Sequence, residues 1–298
     1  MDKINKVSKS KNIDKNVVKS FGEEWTYFQQ DRISEKEELK LFNNYFYKFP
    51  FKKLNSKSVG FDLGCGSGRW SKYIANKVGK ILCIDASKDS IKIAKKNLSK
   101  FNNCEFYVAS VDEMPIKDNS MDFGFSLGVL HHLPDPFEGI KSCIAKLKPG
   151  APFLVYLYYN LENRPIWYKI IWKITDVIRI ITSALPKKGK YIFAFLVAIF
   201  VYFPLTKISF ILNKFGINSN LIPLSFYKNY SFYVMFTDAY DRFGTSLEHR
   251  YSKNEMQILL KKSGLEKISF NDHTPFWCAI GYKKKQYVWN CWYSINKC

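Results

Sequence analysis

The sequence predicts an α/β protein built on a mainly parallel, doubly wound sheet of seven strands, with helices on both faces and one large helical insertion. Three observations carry this. An apolar strand runs into a glycine-rich turn and a helix at Val59-Gly-Phe-Asp62-Leu-Gly64-Cys65-Gly66-Ser-Gly68-Arg-Trp-Ser71. A second apolar run, Lys80 to Ile84, ends in Asp85, 23 residues after Asp62, in the order a strand–helix–strand unit requires. Short apolar runs then alternate with helical patterns as far as Tyr158, break off, and resume at Ser252.

The first turn is open to ligands because glycine lets backbone N–H groups approach a bound group at a helix N-terminus. Its spacing is G-x-G-x-G: Arg69 stands where a dinucleotide-binding G-x-G-x-x-G would place its third glycine, and no G-K-[ST] follows, so the usual dinucleotide and P-loop fingerprints are absent. A tight connection without a ligand is the plainer alternative. Asp85 at the tip of the second strand is placed to accept ribose hydroxyls; capping the next helix is its other reading, a task Ser87 can also perform.

Strands follow at Cys104–Ala109, Phe123–Leu127 and Ala151–Tyr158, with helices at Trp70–Val78, Asp89–Ser99 and Phe137–Leu147, the last stopped by Lys148-Pro-Gly150. The chain closes its core with a helix up to Ser263-Gly264 and strands at Lys267–Phe270 and Phe276–Tyr282. Roughly ninety residues are inserted between the fifth strand and that unit, far more than a connecting loop needs. The organisation is therefore a tail and helical cover (1–50), a cofactor-binding core (51–158), a helical insertion at the sheet's carboxyl edge (159–251), a closing unit (252–283) and a tail (284–298).

The DLGCGSG turn resembles motif I of the class I S-adenosylmethionine (SAM) methyltransferases, a Rossmann-like family. The segment from Ser110 to Asp122 is similar to that family's D-A-E-x-L-P-F-x-D-x-x-F-D stretch. The resemblance implies SAM as cofactor, with Asp62, Gly64, Cys65, Gly66 and Gly68 around its methionine end. It gives Asp85 the ribose and Ser110 with Val111 the adenine, with Ala86 and Leu127 as further cofactor-binding positions. One departure is Ser110, which stands where the family carries an adenine-facing acid. After the fourth strand, where such enzymes meet their acceptor, the chain reads Gly128-Val-Leu-His131-His132-Leu-Pro-Asp135. It lacks the [N/D]-P-P-[Y/F] of base and glutamine N-methylation and is similar to quinone, sugar and natural-product methyltransferases. His131 and His132 are the candidate bases, since a neutral imidazole can take a proton from a hydroxyl or amine; a structural hydrogen bond is the alternative. No metal site is expected.

Composition narrows the partners. The formal charge is +20, but only six of the 46 basic residues are arginine, whereas nucleic-acid surfaces favour arginine's bidentate fork. An RNA methyltransferase is thus the weaker enzyme reading, and a membrane-peripheral SAM-binding protein without catalysis is the non-enzyme one. The seven cysteines form no C-x-x-C pair, which suits reduced thiols in a cytoplasmic protein. Met1 to Asn16 is Lys- and Asn-rich and is expected to be a loose tail. Phe21-Gly-Glu-Glu-Trp25 reads as a cover over the cofactor, or as an aromatic stripe that packs on the sheet.

In the insertion, Ile166, Ile170, Ile174, Val177, Ile178 and Ile181 fall at helical spacing. Tyr191 to Thr206 is uncharged, too short at sixteen residues for a spanning helix. It is expected to be a buried lid helix, with an interfacial helix on an anionic membrane as the alternative. Either suits a small-molecule or lipid-linked acceptor, for O-, N- or C-methylation. Arg242 and Arg250 are expected to pair with an internal carboxylate such as Asp238, or with a substrate anion.

Overall fold

The computed structural model describes residues 11–285. Seven strands form one sheet: β1 (Val59–Leu63), β2 (Lys80–Asp85), β3 (Cys104–Val108), β4 (Phe123–Leu127), β5 (Pro152–Tyr156), β6 (Leu265–Phe270) and β7 (Cys278–Lys283). Their order is β3-β2-β1-β4-β5-β7-β6. All pairings are parallel except those of β7, which runs antiparallel to both neighbours. The strand order reverses between β1 and β4, so the sheet's carboxyl edge opens a crevice there, where doubly wound sheets take ligands.

The ten α-helices of the described residues are α1 (Lys15–Tyr27), α2 (Glu35–Tyr45), α3 (Ser71–Ala75), α4 (Lys88–Asn97), α5 (Pro136–Lys146), α6 (Ile166–Ser183), α7 (Lys187–Val197), α8 (Phe203–Lys214), α9 (Phe232–Gly244) and α10 (Lys253–Lys262). Two apolar cores sandwich the sheet. One holds Phe42, Phe46, Ile74, Ala94 and Phe125; the other holds Phe61, Leu130, Ile140, Phe153 and Leu260. Burial of this kind contributes on the order of 25 cal/mol per Å² of apolar surface and fixes the strand order.

Local signals set the helix starts. Ser87 accepts from the Ser90 N–H at α4, Asp135 from Glu138 at α5, and Ser252 with Glu255 forms a capping box at α10, each satisfying N–H groups a helix leaves open. Ser87, not Asp85, is the cap of α4. The expected loose tail is partly tied down: Asn12 Nδ2 donates to the Asp135 carbonyl and its Oδ1 accepts from the Asp135 N–H, both at 2.8 Å, and α1 begins at Lys15 under an Asp14 cap. The remainder of that tail, 1–10, and most of the carboxyl tail lie outside the described residues.

The insertion departs most from expectation. The uncharged stretch sits inside one continuous helix, Lys187–Lys214, of 28 residues, formed by α7, a π-helical turn at Ala198–Tyr202 and α8. By length and composition it is enough to cross a membrane, with a mean hydropathy of 2.1 over 18 residues, of which only 22% is buried. Ala194, Ala198, Tyr202 and Thr206 form its buried stripe, one residue every four, while Ile192, Phe195, Phe200, Phe203 and Phe210 stay exposed. A fully buried lid helix is therefore the wrong description: one stripe packs into the core, Phe193, Val197, Val201 and Leu205 line a cavity, and the other apolar side chains face out.

Candidate active site

One cavity of about 850 Å³ runs from the carboxyl edge of the sheet into the inserted helices. At the sheet end its walls include Gly64, Asp85, Ala86, Ser110, Val111 and Leu127. Asp85 is held by two backbone donors, Gly66 N to Oδ2 at 3.0 Å and Ser87 N to Oδ1 at 2.8 Å. Each oxygen keeps a further lone pair for a hydroxyl from the cavity. Burial raises its pKa against those two hydrogen bonds. Ser110 Oγ lies 2.9 Å from Asp112 Oδ1, so a carboxylate stands one hydroxyl behind the position where the resemblance expects an acid.

The other turn residues shape this end without lining it. Asp62 is 1% exposed and accepts from Ser71 Oγ at 2.7 Å; burial pushes its pKa up to about 7, opposed by that bond. Through that bond it braces the turn, and its side chain does not line the cavity. Cys65, Gly66 and Gly68 likewise lie off the cavity. Gly64 shows why the turn needs glycine: its φ is +72°, and a Cβ there would come within 2.3 Å of the Val129 side chain. Across the crevice Gly128, at φ +78°, has nothing within 4 Å of where a Cβ would stand and opens onto the cavity.

The histidines separate. His131 is fully buried, off the cavity, with both ring nitrogens unpartnered; its ring lies between those of His132 and Tyr158, at centroid distances of 4.0 and 3.9 Å. Burial, then its neighbours His132 and Arg250, hold its pKa well down. His131 thus packs against the His132 and Tyr158 rings and does not line the cavity. His132 lines the cavity. Its Nδ1 lies 2.6 Å from the Leu247 carbonyl oxygen, which assigns the proton to Nδ1 and leaves Nε2, buried and unpartnered, as the acceptor nitrogen. Burial lowers its pKa to about 4, so the ring is neutral at neutral pH.

The cover residues Val17, Phe21, Glu24 and Trp25 of α1 face the same cavity. Opposite them α9 brings Asp238 and Asp241, from the polar stretch 231–251 whose density resembles the substrate-facing region of related enzymes. Tyr227 Oη donates to Asp238 Oδ2 at 2.6 Å, and the Tyr158 hydroxyl donates to Asp241 Oδ2. Burial pushes both carboxyls up to about 6. Their spacing of three on a helix beginning with the cap residue Ser231 was the available signal. Arg242 and Arg250 pair with Glu248, not Asp238: Arg242 Nη1 is 3.2 Å from Glu248 Oε1, and Arg250 Nε donates to the same oxygen. Despite burial, these two cations keep the Glu248 carboxyl low.

The sheet order and this crevice define a class I methyltransferase architecture, and its residues fit SAM. Asp85 suits a vicinal diol, Arg69 in the cavity wall suits a carboxylate, and the opening at Gly128 gives room beside the strand ends. Residues 61–155 match the family model described as a methyltransferase domain. The chain is 27% identical over 165 residues to the ubiquinone biosynthesis O-methyltransferase of Vibrio vulnificus, covering 54% of this chain and 68% of that protein. It is 31% identical over 105 residues to the enzyme of that name from Xanthomonas campestris pv. campestris, covering 35% and 42%. A chain of the complex between the Haloferax volcanii Trm112 methyltransferase activator and its methyltransferase shares the fold, at TM-score 0.50 and 14% identity over 89% of this chain and 98% of that one. The chain carries a methyltransferase domain at residues 61–155, in the sheet architecture of the SAM-dependent methyltransferases.

Proposed function

We propose that the acceptor is an amphiphilic small molecule, methylated at its polar head while its apolar part lies along the inserted helices. The observation that carries this reading is the continuity of the cavity. It passes from Asp85 and Gly64 to Trp167, Ile171, Val197, Val201 and Leu205 without a partition. The relatives' names place O-methylation in ubiquinone biosynthesis for those proteins, which supports a small-molecule acceptor here. SAM, when bound, supplies a methyl group already activated as a sulfonium, so the protein's work is to position, to exclude water and to take a proton. In this reading Gly64, Asp85, Ala86, Ser110, Val111 and Leu127 hold the cofactor, the α1 cover closes over it, and His132 Nε2 faces the acceptor as proton acceptor.

The outer faces of α6 and of the α7–α8 helix are read as a membrane-docking surface. Ile174 is 58% exposed, Ile181 66% and Phe200 72%, far beyond the scattered apolar residues of an ordinary surface. Between positions 159 and 230 the acids are Glu162 and Asp176, against eight lysines and two arginines, a balance that favours an anionic bilayer. Because one stripe of the long helix is engaged by the core, it is read as lying on the bilayer rather than crossing it, on the cytoplasmic face. The test is to incubate the enzyme with methyl-labelled SAM and separate organic, aqueous and RNA fractions of a cell extract. Label in the organic fraction supports the reading; label confined to the aqueous or RNA fraction overturns it.

A further inference from the structure

Beyond the cofactor residues, the cavity holds a second polar group that methyl transfer to an arbitrary acceptor does not require. Glu24, Asp238 and Asp241 all face it, and Arg69 is a cation that all three carboxyls sense. Arg242 and Arg250 also line the cavity but pair with Glu248, so the three acids, counted as ionised groups, outnumber the nearby cation Arg69, an imbalance that a cationic ligand would offset. Two of the acids are braced by Tyr227 and Tyr158. Glu24 is not: it is 3% exposed, its side chain makes no hydrogen bond or ion pair among the described residues, and its carboxyl is raised well above the usual range, by burial first and then by Asp241. Asp241 Oδ1 is also buried without a partner among the described residues.

Aromatic side chains share the cavity with these carboxyls. Trp25, Tyr45, Tyr158 and Tyr227 line it, Tyr158 and Tyr227 meeting the acids through their hydroxyls, and Arg69 already lies over the Trp25 and Trp70 rings, 5.3 and 4.4 Å from their centroids. Buried carboxylates among aromatic faces form the environment that attracts an ammonium group, through charge and through the ring quadrupoles together. We infer that this acidic–aromatic subsite binds the acceptor by an ammonium group, so that the acceptor is a cationic amphiphile. The inference rests on the methyl-transfer reading of the cavity and names the acceptor class for it.

An ammonium group has a second source, the amino end of the cofactor itself, and the experiment separates the two. The full chain is first saturated with S-adenosylhomocysteine, whose own binding heat reports on the cofactor site independently. Choline and its uncharged isostere 3,3-dimethylbutan-1-ol are then titrated into the loaded protein. Expected is binding of choline at least about tenfold tighter than of the isostere, with a loss of about tenfold or more in Asp238→Asn and in Asp241→Asn. Tyr227→Phe, which keeps every charge, serves as a second variant should either Asn substitution compromise folding, and is expected to weaken choline severalfold. Equal binding of choline and isostere to the loaded protein would overturn the inference. So would choline binding that disappears on loading, since the carboxylates would then serve the cofactor's amino group.

Discussion

The sheet and the inserted helices are both strongly apolar, yet they use that character in opposite ways. In β1, β2 and β4 every large apolar side chain is covered: Phe61, Ile81, Ile84, Phe123 and Phe125 are all fully buried. In α6 and α7–α8, isoleucines and phenylalanines at comparable density remain exposed, while packing consumes the stripe from Ala194 to Ser209 and, on α6, Arg179 and Thr182. Apolar residues that the fold does not bury are available to the surroundings. In the proposed reading the sheet builds the place where the cofactor binds, and the helices provide the route and surface for what it acts upon.

The largest effect should come from the helices. Ile174→Glu combined with Phe200→Glu removes two exposed apolar groups, each worth roughly 1.5–3 kcal/mol when inserted, and adds charge. Partition onto anionic vesicles, read by sedimentation, is expected to fall about a hundredfold while the affinity for S-adenosylhomocysteine stays unchanged. Unaltered partition would remove the contrast between the two regions.

On the sheet side, Gly64→Ala forces a side chain into a positive-φ position against Val129. Denaturant unfolding should show a loss of about 2–3 kcal/mol. A loss under about 0.5 kcal/mol would mean that the turn relaxes freely and does not fix the crevice.

These two cases also mark what the sequence can reveal. The glycine turn, Asp85 and the strand order are local and periodic, so they are legible in the order of residues alone; so is the ninety-residue interruption. Three things are not. Tyr191 to Thr206 reads as a short buried segment because the charges at Lys187, Lys190, Lys207 and Lys214 mask a helix that continues through them. Asp62 looks like a ligand in the motif, but Ser71, nine residues on, claims it through a hydrogen bond that sequence does not display. Glu24, Asp238 and Asp241 meet only because α1 folds over the crevice opposite α9, a juxtaposition that no local pattern encodes. The adjacent histidines illustrate the same limit, since the chain turn at Leu130–His132 sends one ring to the cavity and the other into the packing between His132 and Tyr158.

Asp62 offers a sharper test. Its folded pKa of about 7 lies above the ordinary carboxyl value, so the folded state holds a proton that the unfolded chain gives up near pH 4. Its contribution is full below that range and is lost as pH rises towards 7, at a slope of at most about 1.4 kcal/mol per pH unit. Asp62→Asn, which can still accept from Ser71, should flatten the stability profile between pH 4 and 7. An unchanged profile would show that Asp62 does not carry that slope.

The smallest effect expected is electrostatic. Lys207→Ala and Lys214→Ala should each weaken vesicle binding by about 1 kcal/mol. That difference should shrink as salt is raised through the range where exposed charges are screened. Salt-independent binding would assign the surface to apolar insertion alone.

The central claim is that the crevice at β1, β2 and β4 holds SAM independently of the apolar face. Calorimetric titration with S-adenosylhomocysteine tests it on the wild-type chain, on Asp85→Ala and on the Ile174→Glu, Phe200→Glu double variant. Micromolar-range binding by the wild type and the double variant, lost in Asp85→Ala, is the predicted result. A folded wild type that gives no binding heat, or an Asp85→Ala variant that binds as tightly as the wild type, would contradict it.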